Sequence, residues 1–341
     1  MNNKFGKELG EYLEYAKISN KDFAERIGTT PKNLIDIIAG NISLSQNMIY
    51  NISFVTNIPV NYIENVESNY KLDKSIDSFL KKNDVSSKEF VKRFSPKEFS
   101  EKYEVNFTDE RNDYNIIKDI LKYLRLTNPA SIYTDNSATF YKSKNDKPEL
   151  LVLWLERCYK TVIKQEIKEY NPDNILNVVN KLKVMAANNE FNKDDLIKLF
   201  NDNGIYLAIE DDLPGAKIRG AFKVLGDKPA IYITRKHKRY ADVYFALLHE
   251  LAHCKSDFNR AQKGSLISLT DNEEIDDYEI RADKQAFNWM IDDELYNKIK
   301  SDYKNVENYN VIKSFFAYRL ANDKIIVYSS NFYQTNNKKM L

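Results

Sequence analysis

Histidine occurs three times in these 341 residues, and two of the three stand four apart around a glutamate, His249-Glu250-Leu251-Ala252-His253, inside the run Tyr244–Cys254. Four-residue spacing places both imidazoles on one face of a helix, where they can converge on one ion. The H-E-x-x-H pattern points to zinc-dependent hydrolysis. Zinc suits two neutral ring nitrogens plus an oxygen ligand, with a fourth position open to water. Glu250, one residue round the helix from His249, is placed as the general base and can pass the proton to a departing amine. A chain built on this motif must bring a third ligand from elsewhere.

The rest of the composition narrows where that ligand comes from. Cys158 and Cys254 are the only cysteines, too few for a disulfide framework or a cysteine-rich zinc site, so the ligands must be His, Glu or Asp. An apolar fraction of 43% with 23 tyrosines argues for folded domains, and 30% charged residues for a soluble surface. No apolar run approaches the roughly 18 residues that span a bilayer, and the start MNNKFGKELGEYLEYAK has no signal-like apolar segment. The expectation is a cytoplasmic chain with no membrane partner. A net charge of +1 gives no global attraction to nucleic acid.

Upstream of the histidines, Ile205–Ile209 and Pro229–Thr234 are β-prone, and Gly215, Gly220 and Gly226 are expected at turns between or around them. A small sheet should therefore precede a helix over 240–254, and its edge could hold a peptide in extended form. Downstream, residues 272–290 begin acidic and become helical. Glu279, Asp283 and Ala286 lie near one another there, while Ala282, Ala286 and Trp289 form a packing stripe. A carboxylate on this second helix could close the metal site.

At the other end, residues 5–70 read as short helices. Ser19 can cap a helix whose N3 residue is Asp22; Phe23, Ala24 and Ile27 face inward, and Gly28 ends the helix. Thr30 is the next N-cap, with Pro31 at the first helical position and Gly40 past the end. Two helices joined this closely make a helix-turn-helix, whose second helix presents Thr30, Lys32, Asn33 and Asp36 to DNA. Residues 1–70 hold six Lys and Arg against eight Asp and Glu, and Asp36 would face phosphates that repel it. Local contacts, helix N-termini and a homodimer can still supply affinity; the alternative is a helical bundle for dimerisation or protein docking.

Between these ends, Phe79, Phe90, Val91, Phe94 and Phe99 demand apolar partners, and Ser95-Pro96 marks a break with a helix start at the proline. This stretch reads as a helical connector suited to a hinge. Residues 113–200 continue as helices, with Trp154 and Cys158 expected in the core. Near the C-terminus, 311–320 reads as a packing helix, 324–328 as a short strand or buried tail, and the polar end after Tyr333 as frayed. His237, within Arg235–Arg239, reads as part of a solvated basic rim.

Two resemblances join these readings. Ser19–Gly40, with Leu44–Ile52 and Ile58–Tyr70, resembles the Cro/repressor-type helix-turn-helix of HigA-like antitoxins. His249–His253, preceded by Gly204–Leu207 and Ile231–Ile233 and followed by Glu279-x-x-Ala282-Asp283-x-x-Ala286, resembles the ImmA/IrrE family of zinc metallopeptidases. The second resemblance implies that Glu279 is the third ligand to Zn2+. Many members carry glutamate where this chain has Arg281, and proline where it has Asp292. The fusion is similar to regulators found near toxin genes and in prophages, which act as transcriptional regulators or antitoxins; stand-alone family peptidases cleave repressors.

The expected chain is multi-domain and mainly α with a small β-sheet. It comprises a helix-turn-helix bundle over 1–70, a helical connector and middle region over 71–190, and an α+β zincin-like metallopeptidase domain over 191–341. Its expected activity is that of a DNA-binding regulator that cleaves a repressor, a toxin or itself; the alternative is a non-proteolytic antitoxin or repressor that binds operator DNA and a cognate toxin. In the first case His249, His253 and Glu279 hold the metal and Glu250 is the base. Tyr278 or Tyr240 could donate to the oxyanion, and Asp283 could support a ligand from behind or be ordinary helix surface.

Overall fold

A computed structural model describes residues 5–133, 147–236, 239–269 and 277–340. His237 and the acidic stretch 272–276 lie outside the described residues. The chain divides into two compact units, Met1–Lys92 with Phe107–Ser131, and Arg93–Asn106 with Ile132–Leu341. Both are rich in helix, and the second contains a four-stranded mixed sheet. No helix among the described residues is long and apolar enough to cross a membrane.

The first unit contains α1 (Phe5–Ala16), α2 (Asn20–Arg26), α3 (Pro31–Ile38), α4 (Gln46–Thr56), α5 (Val60–Lys82) and α6 (Ser87–Lys92). Local chemistry sets the boundaries of α2 and α3 where the sequence indicates them. The Ser19 hydroxyl accepts from the Asp22 N–H at 3.1 Å, and Thr30 Oγ1 from the Asn33 N–H at 3.2 Å. Gly28 and Gly40 take φ of 69° and 78° past the helix ends, where a side chain would be strained. Phe5, Leu9, Phe23, Leu34, Ile37, Ile52 and Ile63 close one core. A methyl group on Gly6 would lie 2.0 Å from the Ile37 carbonyl oxygen, so glycine is required where α1 crosses α3.

The aromatic residues around Ser95-Pro96 all find apolar surroundings, but they divide. Phe79 and Phe90 meet at 5.2 Å between ring centroids in the first unit. Phe94 and Phe99 are fully buried in the second, where Pro96 opens α7 (Pro96–Tyr103). Helix α8 (Asp113–Tyr123) returns to the first unit.

The second unit continues with α9 (Pro148–Val162), α10 (Ile175–Ala187) and α11 (Lys193–Asn201), and Trp154 and Cys158 are completely buried. Strands β1 (Tyr206–Glu210), β2 (Ile218–Leu225), β3 (Lys228–Thr234) and β4 (Leu266–Leu269) form the sheet in the order β1-β3-β2-β4. β1 runs parallel to β3, whereas β2 is antiparallel to both β3 and β4. Gly220 is not at a turn as expected but inside β2, opposite Ile233 of β3 and Ser268 of β4. After the sheet come α12 (Tyr240–Ser256) and α13 (Phe258–Ala261); beyond β4 lie α14 (Asp277–Met290), α15 (Asp293–Ile299), α16 (Lys313–Asn322) and α17 (Asn331–Asn336).

Two expectations for the C-terminus are overturned. Residues 324–328 form neither strand nor buried tail: the chain turns there, Lys324 has a positive φ, and only Ile326 is buried. The end after Tyr333 is anchored rather than frayed. Helix α12 begins after Arg239, whose side chain does not cap it, so its first N–H groups need distant partners. Asn337 Oδ1 accepts from the Ala241 N–H at 3.0 Å, and the Lys338 carbonyl from the Tyr240 N–H at 3.3 Å. Asn337 is fully buried, and its amide donates to the Tyr333 hydroxyl at 2.9 Å. Arg239 in turn donates to the Asn337 carbonyl and to Gln334.

Asn337→Ala leaves the Ala241 N–H unsatisfied in a buried place and is expected to destabilise the fold by about 1–3 kcal/mol. Urea unfolding of the full chain measures this, and an unchanged midpoint would show that the tail does not hold the helix.

Candidate metal centre

Helix α12 is enclosed on every side, so the faces around its buried polar residues are apolar. Every residue from Val243 to Cys254 is buried, and the helix packs on β2, β3, α10 and α14. Small residues permit the closest approach, for Ala282 and Ala286 of α14 are buried in the shared core. This packing carries Glu279 to the histidines.

The geometry is compact. His249 Nε2 and His253 Nε2 are 3.0 Å apart. Glu279 Oε2 lies 3.3 Å from the first and Glu279 Oε1 3.1 Å from the second. One donor atom from each residue falls within 4.8 Å of the others, and all three side chains are buried, so the group could hold a metal ion. Behind the rings, His249 Nδ1 is 2.7 Å from Asp283 Oδ1 and His253 Nδ1 is 2.9 Å from Asp257 Oδ2. A carboxylate at each Nδ1 draws the proton there and turns the Nε2 lone pair inward. Two inward lone pairs then face the Glu279 carboxylate at 3.1–3.3 Å, an arrangement that a cation satisfies.

The electrostatics follow from this enclosure. Burial works to lower the His253 pKa, but hydrogen bonds to Asp257 and Glu279 outweigh it and hold the group at about 9. Burial would raise the Glu279 carboxyl, yet the two histidines keep it well below the usual range. For Asp283, burial is likewise overcome by the His249 hydrogen bond and the Arg219 charge, so its pKa is lowered. Glu250 goes the other way: burial pushes its carboxyl up, offset in part by the histidines. Both Glu250 oxygens are buried, and among the described residues neither makes a geometric hydrogen bond, although the Ser268 hydroxyl also helps to lower the carboxyl. The space for them comes from Gly220, where a methyl group would lie 2.4 Å from Glu250 Oε1.

Of the residues named from the sequence, His249, Glu250, His253, Glu279 and Asp283 come together here. Tyr278 is buried and T-shaped to the His253 ring, centroids 6.1 Å apart, and Arg260 covers the Tyr278 ring at 3.8 Å. Tyr240 is not brought to the centre: it opens α12 nine residues before His249, about 14 Å along the helix axis at the usual rise. Thr30, Lys32, Asn33 and Asp36 belong to the other unit.

Sequence reasoning missed Asp257, Ser268 and Arg219. Asp257 was within reach, since it stands four residues after His253 at the end of the same helix. Ser268, fully buried on β4, places its hydroxyl 3.0 Å from His249 Nε2. Arg219 Nη2 lies 3.2 and 3.3 Å from the two ring nitrogens of His249 and 3.3 Å from Asp283 Oδ1. Both depend on strand pairing that no local pattern reveals. Compared with known proteins, the chain matches no family model, no curated protein and no solved structure.

The raised pKa of His253 sets a pH dependence. Its protonation stabilises the metal-free fold below the ordinary value of 6.5, and that contribution is lost as pH rises through about 9. A metal ion must displace this proton, so divalent-metal affinity is expected to climb across that interval. Competition against a chromophoric chelator measures it; an affinity flat with pH would contradict the assignment.

Proposed function

We propose that the second unit is a zinc-dependent peptidase and that the first is a DNA-binding module, making the chain a regulator that cleaves a selected protein. The observation that carries the reading is the buried convergence of His249, His253 and Glu279 beside the buried carboxylate of Glu250. It is supported by the resemblance to ImmA/IrrE metallopeptidases, in which the third ligand occupies the place of Glu279.

His249 Nε2, His253 Nε2 and a Glu279 oxygen would hold the ion. Bound there, zinc would supply Lewis acidity and lower the pKa of a water toward neutrality. Glu250 supplies the base: its burial-raised pKa favours taking a proton at a carboxylate oxygen and returning it to the leaving amine nitrogen. The buried Ser268 hydroxyl gives the same face of the site a donor. Exclusion of water around these groups strengthens each interaction.

For the first unit, the capped pair α2 and α3 supports a helix-turn-helix, similar to the HigA-like module, that binds operator DNA. Asn33 Nδ2 donates to Thr29 Oγ1 at 2.7 Å and Asp36 Oδ1 accepts from Asn41 at 3.2 Å. Asn33 and Asp36 are thus held within their own turn, while Thr30 and Lys32 are exposed at the start of α3. Those two are the better placed for phosphates. A second reading, a non-proteolytic antitoxin or repressor that captures a toxin, is favoured by the absence of solvent exposure at His249, Glu250 and His253.

Glu250→Gln is expected to retain stoichiometric zinc, measured by elemental analysis, and to abolish processing of proteins captured from the native cell. Cleavage by this variant at the wild-type rate would remove Glu250 from the mechanism, and a toxin held intact by both forms would favour the second reading. Separately, Thr30→Ala with Lys32→Ala should weaken operator binding without changing zinc content.

A further inference from the structure

Strands β2 and β4 pair out of step at one place. Ile218 is opposite Leu269, but Gly220, two residues on, is opposite Ser268, one residue back, so Arg219 is the extra residue of a bulge. Bulges re-aim side chains and concentrate beside functional sites. Here the result is a guanidinium, only 16% exposed, set against His249 and Asp283 with the Phe245 ring 5.2 Å away. A cation brought into a core next to potential ligands of another cation needs a reason.

The reason lies in a repeated arrangement. His249 Nδ1 meets Asp283 Oδ1 at 2.7 Å, and the same oxygen is 3.3 Å from Arg219 Nη2. His253 Nδ1 meets Asp257 Oδ2 at 2.9 Å, and the other Asp257 oxygen accepts from Arg281 Nη2 at 2.9 Å. Each ligand ring thus ends an Arg–Asp–His chain, although one arginine comes from a strand bulge and the other from α14. A carboxylate held only by an imidazole can rotate about its side-chain torsions; held also by a guanidinium, it fixes the plane of the ring and the tautomer. The arginines also offset charge in a site that already holds Glu250 and Glu279.

We propose that Arg219 and Arg281 are positioning residues that lock the two histidines in the metal-binding orientation, with Arg219 the stronger because it is the more enclosed. The inference rests on the metal reading above. Loss of such an outer partner costs about 10- to 100-fold in metal affinity. The Arg281 side chain is 63% exposed, so its effect should fall at the lower end of that range or below it.

The experiment is a zinc competition titration on the full chain, with cobalt(II) substitution to read ligand geometry from the visible spectrum. Arg219→Met should weaken zinc by about 10- to 100-fold and alter the cobalt spectrum, Arg281→Met should do so to a smaller extent, and Arg219→Lys should recover part of the affinity. Arg281→Met, at an exposed position, is the control that keeps its fold, and thermal unfolding of the metal-free proteins checks the rest. Wild-type affinity and spectrum in Arg219→Met would overturn the proposal and leave the metal centre standing. A wild-type chain that takes up no zinc or cobalt would overturn both.

Discussion

Enclosing His249, Glu250, His253 and Glu279 in one buried core is the constraint on which the second unit is organised. An ionised group moved out of water costs several kcal/mol unless other groups answer it. Four titratable side chains on two packed helices therefore demand an elaborate surround, and the unit provides it from several directions. Asp257 comes from the end of α12, Asp283 and Arg281 from α14, Arg219 and Gly220 from β2, and Ser268 from β4. The four-stranded sheet adds its own share. It presents a glycine, a bulged arginine and a serine to one side of a helix.

The same constraint explains the apolar excess of α12. A surface helix would show one polar stripe, but here the polar residues are the site itself and the remaining faces must be covered. Leu247, Leu248 and Leu251 enter the main core, and Tyr244 packs edge-on against Phe315 of α16. The helix start is satisfied by Asn337 from the far end of the chain. A helix held at both ends and on all sides keeps the spacing of its two rings fixed, and tight ligand geometry requires that rigidity.

Much of this was legible locally. Helix boundaries set by Ser19, Thr30, Gly28 and Gly40 follow from side chains that bond within their own turn, and such bonds can be read from neighbouring residues. The spacing of His249 and His253 is equally local. Glu279 required the resemblance, because nothing in residues 272–290 alone distinguishes it from Asp283. Gly220 was misplaced at a turn because glycine usually signals one; its true reason is a carboxylate thirty residues away. Arg219 and Ser268 depend on a one-residue slip between strands, and Asn337 on a contact across 96 residues of sequence. Long-range pairing leaves no periodic trace, so these were invisible.

Glu250 separates folding from function within the site. His249, His253, Glu279 and Asp283 each have a partner that returns some of the cost of burial. Glu250 is answered less well: neither oxygen makes a geometric hydrogen bond among the described residues, the histidines and the Ser268 hydroxyl offset its burial only in part, and the chain gives up a side chain at Gly220 to make room for it. A buried, unsatisfied carboxylate weakens a fold. An apolar residue of similar shape would serve the packing better, so stability does not account for a carboxylate there. The proposed role as a base would account for it, since the carboxyl has a raised pKa and stands next to three groups that could hold a metal ion.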